Sequence, residues 1–298
     1  MDGILVVDKP RGLTSHDVVA AARRSLGERR VGHTGTLDPL ATGVLPLALG
    51  RATRLVRFLT ASDKDYDATI CFGVTTDSYD VTGRETSRTD AVPSRDSVEQ
   101  AVESLRGHYP QMPPAYSAKK VAGRRAYDLA RRDEAVVLST VPVHVARAEL
   151  VDLSGARAGV VLTCSAGFYV RSYAHALGQL VGMGACLEAL RRTRSGEFGL
   201  DVAVPIEDLC DPQRVRTRFI PLERLLPRVP AVRVTAPGRA AVSHGREVRA
   251  GDYEPLCDTP PLPGADQWVR MLDESGALVA MATRGLSPNS LHPAVVLI

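Results

Sequence analysis

The stretch GHTGTLDPLATG, residues 32–43, decides how the rest of this chain is read. It gathers a carboxylate (Asp38), an imidazole (His33) and three hydroxyls (Thr34, Thr36, Thr42) on backbone loosened by Gly32, Gly35 and Gly43. Glycine permits positive φ and close approach of a ligand, and Pro39 fixes the chain directly after Asp38. With Pro46 and Gly50 following, no long helix is possible here, so the segment is a constrained loop able to hold one carboxylate at a defined point. A phosphate-cradling nucleotide loop is excluded, because no lysine follows the glycines and an aspartate repels phosphate. Metal ligation by His33 and Asp38 lacks the further ligands that such a site needs. The plainest alternative makes Asp38 a turn residue and His33 a satisfied loop histidine.

Outward from this loop, the apolar run Ile4–Val7, stopped by Asp8-Lys9-Pro10-Arg11-Gly12, predicts a strand and then a turn. A helix follows, capped by Thr14 or Ser15, favoured by Asp17 at its positive end and closed by Gly27. Tyr66 to Val74 alternates as a half-buried strand and puts Tyr66 on the inward face. Ser94 to Gly107 carries the apolar spacing of an amphipathic helix, and Tyr109-Pro110 cannot continue it. Ser117 to Arg132 is a basic segment of helical character, Val141–Leu153 and Gly159–Ser165 read as strands, and helices are expected over Tyr169–Val181 and Ala185–Arg191. Strands interleaved with helices, without a regular nucleotide-binding repeat, predict an α+β fold built on a largely antiparallel mixed sheet flanked by helices. After Pro230 the texture turns to short strands and turns, which predicts a small β-rich domain over 229–298, joined at Leu226–Pro230 to a domain over 1–228.

Composition is that of a globular protein, with 44% hydrophobic and 24% charged residues in a chain of 298. The five cysteines are scattered, form no C-x-x-C pair, and read as reduced, buried thiols of a cytoplasmic protein rather than a disulfide framework or zinc site. No apolar run reaches membrane-spanning length. Net charge is only +3, but residues 106–132 hold seven Lys or Arg against one acid, a density suited to nucleic-acid phosphates. Arginine outnumbers lysine 33 to 4, a bias that reads as genomic and dilutes any inference from arginine alone.

Three segments, Gly3–Asp17, Gly32–Leu49 and Cys164-Ser-Ala-Gly-Phe-Tyr-Val-Arg-Ser172, resemble in order and spacing the motifs of the TruB family of tRNA pseudouridine synthases of bacteria, here with an actinobacterial cast. The resemblance spans about the first 200 residues and implies the pseudouridine synthase fold, with isomerisation of the T-loop uridine at position 55 of tRNA. It implies that Asp38 is the catalytic carboxylate, Arg171 its cationic partner, and Tyr66 the tyrosine that stacks on the base and is a candidate for removing the C5 proton. A carboxylate in a dry pocket needs such a cation, since burial alone favours the neutral acid. Asp38 either attacks the sugar or removes a proton from it.

By the same resemblance, His33 fills the space left when the uridine is flipped out of the folded loop, and Tyr169, Leu190 and Arg54 belong to the substrate-binding set. The basic segment, within an insertion over about 110–145, clamps the tRNA T-arm through Lys119, Lys120, Arg124 and Arg125. The terminal domain stands where the family often carries a PUA RNA-binding module, although Glu254–Asp266, with four prolines, looks like a loop. No cofactor or metal is expected, because the isomerisation has no net redox change, and a monomer without membrane or obligatory protein partner is expected. The alternative from another class is a noncatalytic tRNA-binding or RNA-folding protein on the same scaffold, which has no use for a buried, paired aspartate.

Overall fold

The computed structural model describes residues 1–116, 138–256 and 267–298, together with the backbone of two short strands within 120–125. The chain begins with β1 (Gly3–Lys9), α1 (Ser15–Leu26), β2 (Val31–His33), β3 (Thr42–Leu49), α2 (Val56–Thr60) and β4 (Lys64–Phe72). A small hairpin, β5 (Val74–Thr76) and β6 (Glu85–Arg88), precedes α3 (Arg95–Ser104) and β7 (Gly107–Gln111). Next come β8 (Lys120–Val121), β9 (Arg124–Arg125), β10 (Val141–Ser154), β11 (Arg157–Cys164), α4 (Val170–Val181) and β12 (Ala185–Ser195). Short strands β13 (Phe198–Gly199), β14 (Val204–Pro205) and β15 (Ile220–Pro221) lead to β16 (Ala231–Val234), β17 (Tyr253–Pro255), β18 (Val269–Leu272), β19 (Leu278–Arg284) and β20 (Leu291–Val296).

The main sheet has eleven strands in the order β14-β1-β3-β12-β4-β11-β10-β7, with β2, β13 and β15 paired at its margins. Only β1–β14 and β12–β3 run parallel, so the sheet is mixed and largely antiparallel. Ile4 to Val7 form a continuous apolar run because both faces of β1 are covered. Leu5 and Val7 enter the core under α1 and α4, whereas Ile4 and Val6 enter a second core on the opposite face. Helix α1 starts at a capping box in which Thr14 and Asp17 satisfy each other's backbone amides, and it ends at Gly27 in the left-handed region (φ 62°).

One expected helix is absent where it was placed. Ala185–Arg191 is not helical but part of the central strand β12, wedged between β3 and β4. Register shifts at Leu187/Ala189 and Arg192/Arg194 break its alternation, so the buried positions fall at 187 and 190 and imitate helical spacing. Within the basic segment, the described residues 120–121 and 124–125 form an antiparallel pair, β8 and β9, with Lys120 opposite Arg125, and so are not helical. Lys119 and the rest of 117–137 lie outside the described residues, as do the side chains of Lys120, Arg124 and Arg125. The cysteines are likewise not all buried: Cys164 and Cys186 are, Cys71 is half-buried and Cys210 is exposed.

Strands β16 to β20 form a separate five-stranded sheet in the order β17-β16-β18-β19-β20, with a helix at Ala236–Ser243 that the sequence pattern did not announce. This sheet docks on the second core of the main sheet through Leu278, Met281 and Leu297. Phe58 and Trp268 meet edge to face at 4.7 Å, and the Arg57 guanidinium lies 4.7 Å from each ring. The connecting segment is stitched down, since Arg270 donates to the carbonyls of Val229 (3.0 Å) and Leu225 (3.3 Å). Among the described residues no helix is long and apolar enough to cross a membrane.

The approach of β3 to β12 requires glycine at position 43. Its φ is +99°, and a Cβ there would lie 2.2 Å from the Arg192 carbonyl oxygen. Gly43→Ala is expected to cost about 2–3 kcal/mol of stability, read as a lower urea midpoint at unchanged slope. A loss below about 0.5 kcal/mol would contradict this close approach.

Candidate active site

The loop between β2 and β3 is fixed by its own backbone and by side chains reaching in from three elements. The amide of Thr34 donates to Pro46 O (3.1 Å), that of Gly12 to Pro39 O (2.7 Å), and that of Ala41 to Asp38 O (3.0 Å). Buried Ser15, in the first turn of α1, accepts from the Leu37 amide (2.8 Å) and donates back to the Leu37 carbonyl (3.1 Å). From β12, Arg192 donates to the carbonyls of Val44 (2.7 Å), Gly35 (3.2 Å) and Thr36 (3.5 Å). The residue before Asp38 and the residue after it are therefore both tethered.

The carboxylate held this way meets Arg171, on the first turn of α4. Arg171 Nε lies 2.8 Å from one carboxylate oxygen and Nη2 donates to the other at 3.1 Å. Such a two-point pair fixes orientation as well as distance. The guanidinium is buried, with 8% of its side chain exposed, whereas 34% of the Asp38 side chain remains open. Arg171 also donates to Ser78 O (3.2 Å) and Tyr116 O (2.9 Å), and Asp80 lies 3.7 Å from its Nε. Asp80, itself buried, accepts from the Thr82 amide (2.9 Å) and the Ser78 hydroxyl (3.0 Å). One guanidinium thus joins the Asp38 loop, the turn before β6 and the root of the basic insertion.

Tyr66 stands on β4 directly opposite Arg192 in register, so the two side chains share a face of the sheet. Burial raises the Tyr66 phenol above its ordinary range, and the Arg192 guanidinium opposes that rise. Leu190, two residues earlier on β12 and opposite Ala68, packs in the same core as Tyr66. Tyr169, the residue before α4, is gripped by buried Gln111, whose amide accepts from its N–H (2.8 Å) and donates to its carbonyl (3.1 Å). His33 ends β2; burial, then Arg192 and His16, lowers its imidazole, and its buried Nδ1 has no hydrogen-bond partner among the described residues.

Arg54 is a correction. It does not stand at the rim of this pocket but bonds the Val296 carbonyl of the C-terminal sheet. Its segment, 50–55, packs through Ala52 and Leu55 into the second core, on the face of the sheet away from Leu37 and Leu40. The sequence reading missed Asp80, Ser15, Gln111 and Arg192. Ser15 and Gln111 lay in segments already singled out, and Arg192 sits in a run of arginines whose paired and buried members look alike in sequence. Among the described residues no three His, Cys, Asp or Glu side chains converge on a metal position.

A family model described as TruB family pseudouridylate synthase (N terminal domain) matches residues 23–170, and one for the tRNA pseudouridylate synthase B C-terminal domain matches residues 171–227. A protein of Solibacter usitatus (strain Ellin6076) named tRNA pseudouridine synthase B is 45% identical over 301 residues, covering 100% of both chains. The chain belongs to the TruB family of pseudouridylate synthases. A TruB-family relative of the same name from Mycobacterium sp. (strain KMS) is 46% identical over 72% of this chain and 73% of its own. Among solved structures, an H/ACA RNP bound to a substrate RNA containing 2'-deoxyuridine superposes with TM-score 0.76 at 25% identity, covering 99% of this chain and 85% of that one. An archaeal box H/ACA sRNP Nop10-Cbf5 complex gives TM-score 0.75 at 25% identity, covering 99% and 86%.

Two buried lysines flank the site. Lys9 donates to the carbonyls of Pro10 (2.9 Å) and Leu13 (2.7 Å), and Lys64 to those of Thr60 and Ser62. Burial lowers each amine from 10.5 to about 8. Below about pH 8 both folded and unfolded chains carry these protons, and the cost of burying the charge is constant. Between about 8 and 10.5 the unfolded chain binds more protons, so this contribution makes stability rise with pH. Lys64→Met is expected to flatten the rise by on the order of 3 kcal/mol across that window, measured by urea unfolding at pH 7.5 and 10. An unchanged slope would show that Lys64 is not desolvated.

Proposed function

We propose that this chain isomerises uridine in tRNA to pseudouridine, acting on the T-loop uridine at position 55, with Asp38 as the carboxylate that engages the ribose. The observation that carries the proposal is the two-point pair between half-open Asp38 and buried Arg171, backed by Asp80. A base within a folded RNA loop must first be extruded, at a cost of a few kcal/mol, and His33 at the end of β2 is the side chain proposed to occupy the vacated space. Tyr66 and Leu190, which share one core, form the floor against which the uracil lies.

In the reaction the C1′–N1 bond breaks and its electron pair stays on the uracil. The sugar's electron deficiency is met by Asp38, either through addition of its oxygen to C1′ or through transfer of a ribose proton to it. The base turns and C5 bonds to C1′ as Asp38 either leaves C1′ or gives back the ribose proton; the C5 proton then departs, with Tyr66 as the proposed acceptor, and N1 gains a proton. Atoms and electrons balance without oxidant, cofactor or nucleotide. Arg171 holds the carboxylate through both oxygens, so the group is pre-oriented before substrate arrives.

The tRNA T-arm is the proposed partner, with Lys119, Lys120, Arg124 and Arg125 of the insertion as phosphate contacts. Anchoring of Arg171 to Tyr116 O links the root of that insertion to the carboxylate. The enzyme is proposed to work in the cytoplasm as a monomer, without a guide RNA. The curated relatives that are 45% and 46% identical are named as synthases of tRNA, and this supports tRNA as the substrate here.

Replacing Asp38 by Asn keeps the volume and removes the charge. That variant is expected to form no pseudouridine in unmodified tRNA while its affinity for tRNA stays within about tenfold of the parent, because the carboxylate acts on the transition state. Pseudouridine formation by Asp38→Asn would overturn the mechanism.

A further inference from the structure

Arg192 and Lys64 are buried cations that the reaction as described does not use. Arg192 is 1% exposed and Lys64 6% exposed. Among the described residues no carboxylate oxygen comes within salt-bridge distance of either; Lys64 bonds to backbone carbonyls, and Arg192 to backbone carbonyls and to the Tyr66 side chain. Lysine and arginine are almost never buried this deeply without an ionic partner, since desolvation of an unpaired charge is expensive. The acidic groups nearby do not pair with them: Asp63 acts on Lys64 without an ion pair among the described residues, Asp65 is taken by Arg194 (2.6 Å), and burial pushes the Cys164 thiol up to about 12, which keeps it uncharged.

Their placement is specific. Lys64 and Tyr66 alternate onto one face of β4, and Arg192 lies opposite Tyr66 on that face. The tips of both cations converge under Gly35, three residues before Asp38. A Cβ on Gly35 would sit 3.5 Å from Arg192 Nη1 and 4.0 Å from Lys64 Cε. The positive charge is therefore stacked beneath Tyr66 and the carboxylate loop, in a region closed to counter-ions.

We propose that Arg192 and Lys64 form a fixed positive field beneath the pocket, which stabilises the negative charge that the uracil ring acquires when the C1′–N1 bond breaks. The proposal rests on the isomerase reading given above. The electron pair of the broken bond passes to N1 and spreads over the ring oxygens; it then forms the C5–C1′ bond, and the pair returned to the ring when C5 loses its proton is taken up by protonation of N1. Oriented charge in a water-excluded site acts at full strength on such a transient anion and needs no reorganisation as it forms. Neither cation touches the substrate, so both are positioning residues that act through space and through Tyr66.

The test compares uridine with 5-fluorouridine at the target position of a T-arm RNA, following C1′–N1 cleavage under single-turnover conditions. Fluorine withdraws electron density and makes the departing base a better anion, so it needs less help from the protein. Lys64→Met and Lys64→Gln both remove the charge, and Gln retains a donor for the backbone carbonyls. Both variants are expected to slow cleavage 10- to 30-fold with uridine but less than threefold with 5-fluorouridine, while Lys64→Arg stays within threefold of the parent on both. Equal slowing of the two substrates, or a defect in the Met variant alone, would show a purely structural role and overturn the proposal. Absence of cleavage by the parent protein on either RNA would instead overturn the isomerase reading itself. Arg192→Lys, which keeps the charge beneath Tyr66, is expected to show the same rate ratio between the substrates as the parent, and a ratio shifted like that of Lys64→Met would count against the field.

Discussion

The contact on which the rest of the structure depends is the one between the Arg171 guanidinium and the Asp38 carboxylate. It joins residues 133 positions apart and brings the glycine-rich loop against the first turn of α4. Because the guanidinium is buried and the carboxylate is half open, the pair stores a charge where substrate can reach it while its partner cannot leave. Removing the carboxylate leaves the buried guanidinium to the more distant Asp80 (3.7 Å), so the site and the stability of this part of the fold are coupled. Asp80, Ser78 and Tyr116 bind the same guanidinium and pass its position on to the hairpin before α3 and to the root of the insertion.

The sheet explains why this contact forms where it does. β12 runs beside β3 on one side and β4 on the other, so a single strand carries Leu190 and Arg192 to the floor of the pocket and holds the loop that bears Asp38. Its neighbours Arg191 and Arg194 turn instead toward Asp8 (2.7 Å) and Asp65 (2.6 Å), in partly exposed pairs of little energetic weight. The three arginines of one strand thus do two different jobs. The C-terminal sheet rests on the other face of β1 and β3, where Arg51 and Arg54 bond the carbonyls of Leu297 and Val296. It therefore braces the sheet from behind and makes none of the contacts described around Asp38.

Much of this was legible in the sequence. The glycines and proline around Asp38 announced a constrained loop, the run Ile4–Val7 a strand, and Thr14, Asp17 and Gly27 the two ends of α1, because each of these signals is local chemistry. What failed was non-local. β12 looked helical because two bulges changed its spacing, and Asp80 sat in a polar turn with nothing to mark it as the buttress of Arg171. Arg54 was assigned from resemblance alone and proved to lie on the far side of the sheet, since proximity in sequence to a motif says nothing about which face a side chain takes. Arg192 could have been suspected only by placing Leu190, Arg191 and Arg192 on a strand and asking which arginine pointed inward.

The most direct measurement is incubation of the parent protein with an unmodified tRNA transcript, followed by mapping of pseudouridine at nucleotide resolution without added cofactor or partner. The account predicts one modified nucleotide, the T-loop uridine at position 55. Modification elsewhere, or none at saturating protein with tRNA demonstrably bound, would contradict it.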